Sequence, residues 1–154
     1  MGLFSDADID EAWHFIQTLP ELTEDQKLAF IEGFQEGWKK AKEIEPDILQ
    51  LNPIVKRTYA VSYSKEDLKT NDDFKKFGFQ MGVLVAVLKY NPILVFDNMV
   101  INWFVNYINS LKEIPEYFEF FKRKISEWNT HIRSQLPQLA DNARRRYAYF
   151  IERI

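Results

Sequence analysis

Apolar residues return every three or four positions along most of this chain, and six prolines cut that rhythm into helix-length pieces. Ile9, Ala12, Trp13, Ile16 and Leu19 follow the capping pair Ser5 and Asp8, which predicts a first helix from about Asp6 to Leu19. Thr23 and Gln26 form a second capping box and open a long helix to about Glu45. Its buried stripe is Phe30, Phe34, Gly37, Ala41 and Ile44, with Ile31 and Trp38 beside it. Gly33 and Gly37 stand one turn apart, where a missing side chain lets another backbone approach, so a close helix crossing is expected there.

Asp47 to Leu51 reads as a short helical turn between Pro46 and Pro53. Ile54 to Tyr63 reads as a helix, although Val55, Thr58, Tyr59, Val61 and Tyr63 also favour strands. Ser64 with Asp67, then Asn71 ahead of Asp72 and Asp73, mark further helix starts. A helix from about Asp72 to Tyr90 carries Phe74, Phe77, Gly78, Met81, Val85 and Leu88 on one side, and Pro92 opens the next, reaching Leu111. Between Phe77 and Leu111 only Lys89 and Asp97 are charged, so this pair is expected to be buried nearly all round. Ile114, Phe118, Phe121, Ile125, Trp128 and Ile132 alternate spacings of four and three. Leu139 or Ala140, Ala143, Tyr147, Phe150 and Ile154 continue the seam past Pro137, so the last two helices read as one kinked rod. The expectation is an all-α, single-domain bundle spanning residues 1–154, with about seven or eight helices and a buried central helix pair.

Hydrophobic residues make up 46% of the chain and aromatics 16%, with 13 Phe, 7 Tyr and 4 Trp, so rings must carry much of the packing. Cysteine is absent, which removes disulfides, thiolate metal sites and thiol nucleophiles. Four of the five glycines lie inside helical patterns and the fifth is Gly2, leaving no Gly-rich loop to cradle a phosphate or dinucleotide. The first residues lack a basic stretch and turn acidic, unlike a secretory signal, and Asp6 stands where N-myristoylation asks for Ser or Thr; the cytoplasm is the default expectation. The net charge of -3 is unevenly spread. Residues 1–47 hold twelve acids against four bases, and the remainder sixteen bases against eleven acids. Such blocks usually belong to solvated faces, and the acidic first helices are expected to pack beside the basic last one, within a protomer or across a dimer.

Catalysis would have to begin with His14 and His131, the two histidines, each with carboxylates one turn earlier at Asp10, Glu11 and Glu127. Glu11-x-x-His14 has the spacing of ferritin-like di-metal bundles, but a second copy would need Glu where Trp128 stands. Asp6-x-Asp8-x-Asp10 resembles the opening of an EF-hand loop and departs from it at Glu11 and Gln17, so no metal site is expected. The helix count and length invite comparison with globins. Residues 72–111 offer no histidine or cysteine for iron, so haem-free globin-like packing remains as architecture only, and no cofactor is expected. Arg144, Arg145 and Arg146 fan over roughly 200 degrees of a helix and cannot all address one phosphate row, which disfavours nucleic acid. Asn98, Asn102, Asn106 and Asn109 recur at helical spacing and disfavour lipid insertion of the apolar pair. They fit a polar stripe, or a rim where a partner docks.

These exclusions point to binding rather than catalysis: a non-catalytic regulatory or adaptor module with a protein partner, self-associating as a homo-oligomer such as a dimer. Trp128, Tyr147 and Phe150, with Arg144 and Arg145, are the candidate contact residues, because the apolar repeat still runs where the sequence stops at Ile154. The rival is a bundle that binds a small apolar ligand or cofactor between Gly78, Gly82 and the face of Trp103, Phe104 and Tyr107. A nucleic-acid-binding helical protein is a further alternative.

Overall fold

A computed structural model describes residues 6–43 and 65–154. The described residues are 86% helical and contain no strand, so the all-α class holds. Six α-helices appear among them: α1 (Ala7–Gln17), α2 (Glu24–Glu43), α3 (Asn71–Tyr90), α4 (Asn98–Leu111), α5 (Pro115–Gln135) and α6 (Asp141–Arg153). Three short 3-10 turns, at Lys65–Asp67, Pro92–Phe96 and Leu136–Gln138, complete the set.

Seven or eight helices were expected, and six stand among the described residues, two of the expected segments lying outside them. The predicted Pro92–Leu111 helix divides at Asp97, whose extended backbone (φ -67, ψ 140) separates a 3-10 turn from α4. The Asp97 carbonyl then accepts from Ile101 at 2.8 Å and starts the new helix. The predicted turn at Asp47–Leu51 and helix at Ile54–Tyr63 lie outside the described residues, as do Ser5 and Ile44. The kinked rod at the C-terminal end is two separate helices, because Pro137 stands in a 3-10 turn and Leu139 and Ala140 are extended (ψ 150 and 156).

Capping fixes the starts. Asp6 caps α1 by accepting from the Asp8 and Ile9 amides, and Thr23 and Gln26 exchange the predicted capping-box bonds at 2.9 and 3.1 Å. At α3 the cap is Thr70 rather than Asn71. The Asp73 amide donates to its hydroxyl, while the Asp73 carboxylate accepts from the Thr70 and Lys69 amides. Those backbone bonds hold the Asp73 carboxyl below its usual range. Thr70→Ala is expected to cost about 1 kcal/mol in urea unfolding, as loss of an N-cap hydroxyl does; an unchanged midpoint would place that capping energy elsewhere.

The tightest contact joins α2 and α3. A Cβ built on any of Gly33, Gly37, Gly78 or Gly82 would stand closer than 3.0 Å to a backbone carbonyl of the opposite helix, respectively that of Lys75, Phe79, Phe30 and Phe34. The glycines are therefore reciprocal: each helix lays its carbonyls over the bare Cα atoms of the other. Phe30 and Phe34 meet Gly78 and Gly82 in ascending order, so the two helices run parallel. Around this seam α3 is buried without interruption from Gln80 to Leu88. Phe77 lies at the centre of an aromatic cluster, edge-on to Tyr117 (4.9 Å, 85°) and beside Phe30 (6.1 Å). Burial pushes the Tyr117 phenol far above its usual range. α4 buries Val100, Trp103, Phe104, Tyr107, Ile108 and Leu111 and turns Asn98, Asn102, Asn106 and Asn109 to solvent. No described helix is long and apolar enough to cross a membrane.

Candidate functional site

Polar side chains gather in several clefts among the described residues. The first is a cleft of about 250 Å³ between α3 and α5, closed at one end by α1 and lined by Asp8, Val85, Leu88, Lys89, Lys124, Glu127, Trp128 and His131. Asp8 and Lys124 are buried side by side with the carboxylate 3.0 Å from the ammonium. Lys124 also reaches Glu11, Lys89 approaches Asp8 at 3.4 Å, and the Trp38 indole N–H donates to Asp8 at 3.3 Å. Burial would raise the Asp8 carboxyl; the charges of Lys124 and Lys89 and the bonds from Lys124 and Trp38 outweigh it and hold the group below its usual range. Lys124 is the mirror case: burial would lower it, but its bonds to Glu11 and Asp8 raise it.

This cluster joins α1, α2, α3 and α5, and most of its charge is consumed internally. Sequence reasoning missed it: Asp8 was placed as a capping acid, and Lys124 stands in the basic run Lys122-Arg123-Lys124, which by itself asks for no partner. His131 lines the cleft, whereas His14 is exposed on α1, 3.3 Å from Asp10. The structure thus puts the two imidazoles in different surroundings. Among the described residues no group of three or more His, Cys, Asp or Glu could hold a metal ion.

The second place is the face where α4 meets α6. A cleft of about 270 Å³ is lined by Asn98, Ile101, Asn102, Arg145, Arg146 and Tyr149. Arg146 is tied down by donating to the Phe96 carbonyl at 2.6 Å, while Arg145 has no ion pair among the described residues. Arg153 lies over the Tyr149 ring at 3.5 Å from its centroid, fixing that ring at the surface. Tyr149 and Ile151 remain 37% exposed, among the most exposed large apolar side chains described.

The sequence-derived contact residues divide at this helix. Phe150 is fully buried, edge-on to Trp128 (5.2 Å, 77°) and to Phe104 (6.2 Å, 83°). Trp128 is buried as well, its indole donating to the Pro92 carbonyl at 3.1 Å. Tyr147 is half-buried against Phe96 and Trp128, with its hydroxyl donating to Asn129. The apolar repeat of α6 therefore meets the chain's own rings, and the exposed members are Arg144, Arg145, Tyr149 and Ile151. Arg144 pairs with Asp141 on its own helix.

The residues proposed to line an apolar ligand pocket lie on two helices, α3 and α4. Gly78 and Gly82 face the α2 backbone, while Trp103, Phe104 and Tyr107 are buried in α4. The buried Trp103 indole N–H finds no acceptor among the described residues. Compared with models of known families, with curated proteins and with solved structures, the chain finds no match in any of the three.

Proposed function

We propose that this chain is a non-catalytic regulatory or adaptor module of the cytoplasm that acts by binding protein, and that a second copy of itself is the first partner it binds. The observation carrying this reading is the outward face of α6. That helix buries one residue completely, Phe150, and leaves Arg145, Tyr149 and Ile151 exposed beside the asparagines of α4. Tyrosine and arginine around a shallow apolar depression are side chains that anchor protein interfaces, the tyrosine by large area at low entropic cost and the arginine by its planar fork of donors.

Phe150 and Trp128 are poor positions at which to test this, because charge placed there enters the core. Tyr149→Glu reaches the surface alone. Light scattering over a concentration series is expected to show a wild-type oligomer and a Tyr149→Glu monomer with an unchanged circular dichroism spectrum. A wild type that stays monomeric throughout removes self-association, and a variant of unchanged mass removes the α6 face.

A further inference from the structure

Lys89 and Lys124 neutralise Asp8 and Glu11 of the acidic block inside the folded chain, but the basic residues of the last helix take no part in this. Among the described residues no ion pair joins α6 to α1 or α2: Arg144 pairs with Asp141 and Arg153 with Glu152, both on α6 itself. On α2, Lys27 pairs with Glu24 and Lys40 with Glu36, again within one helix. Asp25 and Glu32 have no ion pair among the described residues, and neither does Arg145.

Between Asp25 and Glu32 stands Leu28, three residues after the one and four before the other, so all three share a helix face. Leu28 is 46% exposed, an apolar knob flanked by carboxylates. The cleft at α4 and α6 has the opposite form: an apolar depression at Ile101 and Tyr149 rimmed by Arg145, Arg146 and two asparagines. Its volume of about 270 Å³ admits one leucine side chain.

We infer that the occupant of the α4–α6 cleft is the α2 face of a second copy of this chain, with Leu28 seated in the depression and Asp25 and Glu32 against the arginine rim. The inference rests on the self-association proposed above and names the surface that completes it. Knob and cleft lie on different helices, so a copy whose knob is engaged still offers its own cleft. The contact therefore closes as a two-fold dimer where both knobs engage at once, and builds a ring or chain where they do not. A small depression with a charged rim belongs with weak interfaces, so association in roughly the micromolar range is expected.

Sedimentation velocity of the full chain tests it with Glu32→Arg, Arg145→Glu and a mixture of the two. Both positions are exposed, so each variant is expected to keep the wild-type thermal midpoint. Each variant alone is expected to associate about tenfold more weakly than wild type, and the mixture to regain association because reversed charges again meet their opposites. Raising salt from about 50 mM to about 500 mM is expected to weaken the wild type while leaving it folded. If Tyr149→Glu and Arg145→Glu dissociate the oligomer and Glu32→Arg does not, the α2 face is not the occupant. Self-association through α6 then survives and this inference fails. A wild type that is monomeric at every concentration overturns both.

Discussion

Gly33→Ala is expected to destabilise the protein by about 3 kcal/mol, or to prevent folding, although alanine is the better helix former by about 1 kcal/mol. The sign turns on what the new methyl meets. At Gly33 it would overlap the Lys75 carbonyl and lie against the Phe79 amide at 3.0 Å, both backbone groups that no rotamer change can move. Relief requires α2 and α3 to separate, and separation loosens the buried contacts of Phe30, Phe34 and Phe77 along the same seam. Gly78→Ala would insert a methyl against the Phe30 carbonyl on the reciprocal side and is expected to behave alike. The pair is expected to be non-additive, since the first substitution already opens the gap that the second needs. Urea unfolding checks this, with the difference between Lys39→Ala and Lys39→Gly at an exposed position of α2 as the control for helix propensity. A Gly33→Ala protein as stable as wild type would mean that the helices pack further apart than described.

Breaking the buried charge cluster from one side is the second large effect. Lys124→Met leaves the Asp8 carboxylate buried with only Lys89 and the Trp38 indole, and about 3 kcal/mol of stability should be lost. Asp8→Asn leaves Lys124 with Glu11 and is expected to cost somewhat less, because Glu11 is half exposed and can follow the ammonium. The double variant Asp8→Leu/Lys124→Met should recover most of the loss: Lys89 and Glu11 can turn to water, and two desolvated charges have been replaced by apolar groups. If instead the double variant falls by the sum of Asp8→Leu and Lys124→Met measured singly, the two residues act independently and their pairing contributes nothing.

The pH dependence follows from the directions of the two shifts. Asp8 is held below its usual range, so its contribution is complete above the unfolded carboxylate value near about 4 and fades as pH falls through the lower folded value. Lys124 is held above its usual range, so its contribution is complete below about 10.4 and fades as pH rises through the higher folded value. The pair therefore supports stability evenly between those limits. Asp8→Asn is expected to flatten the acid limb of a stability profile and to leave the neutral region level; an acid limb identical to wild type would locate that proton uptake elsewhere.

The charge cluster also marks where reading along the chain stops working. Asp8 and Lys124 are 116 residues apart, and each has an ordinary local role available, one as a first-turn acid and one as part of a basic run. Their pairing depends on how α1 lies across α5, which no local spacing encodes. A weak signal existed in Lys124 itself. It falls on the buried side of the helix that carries Phe121, Ile125 and Trp128, where a lysine requires a partner. The C-terminal aromatics illustrate the converse. Their periodicity correctly placed Trp128 and Phe150 on apolar faces, but periodicity is blind to whether the covering surface is the same chain or another. Phe96 and Phe104, brought over by the break at Asp97, supply that cover.

What the chain determines by itself is local: helical rhythm, the capping box at Thr23 and Gln26, the stops at proline, and the glycine stripe on α2 that asks for a close neighbour. These rest on hydrogen bonds and steric limits within a few residues. Only the tertiary structure decides that the neighbour is a second glycine stripe running parallel, that a buried lysine is answered by acids from the first helix, and that α6 turns Tyr149 outward and Phe150 inward. Each is a choice among partners distant in the chain, made by the packing of whole helices.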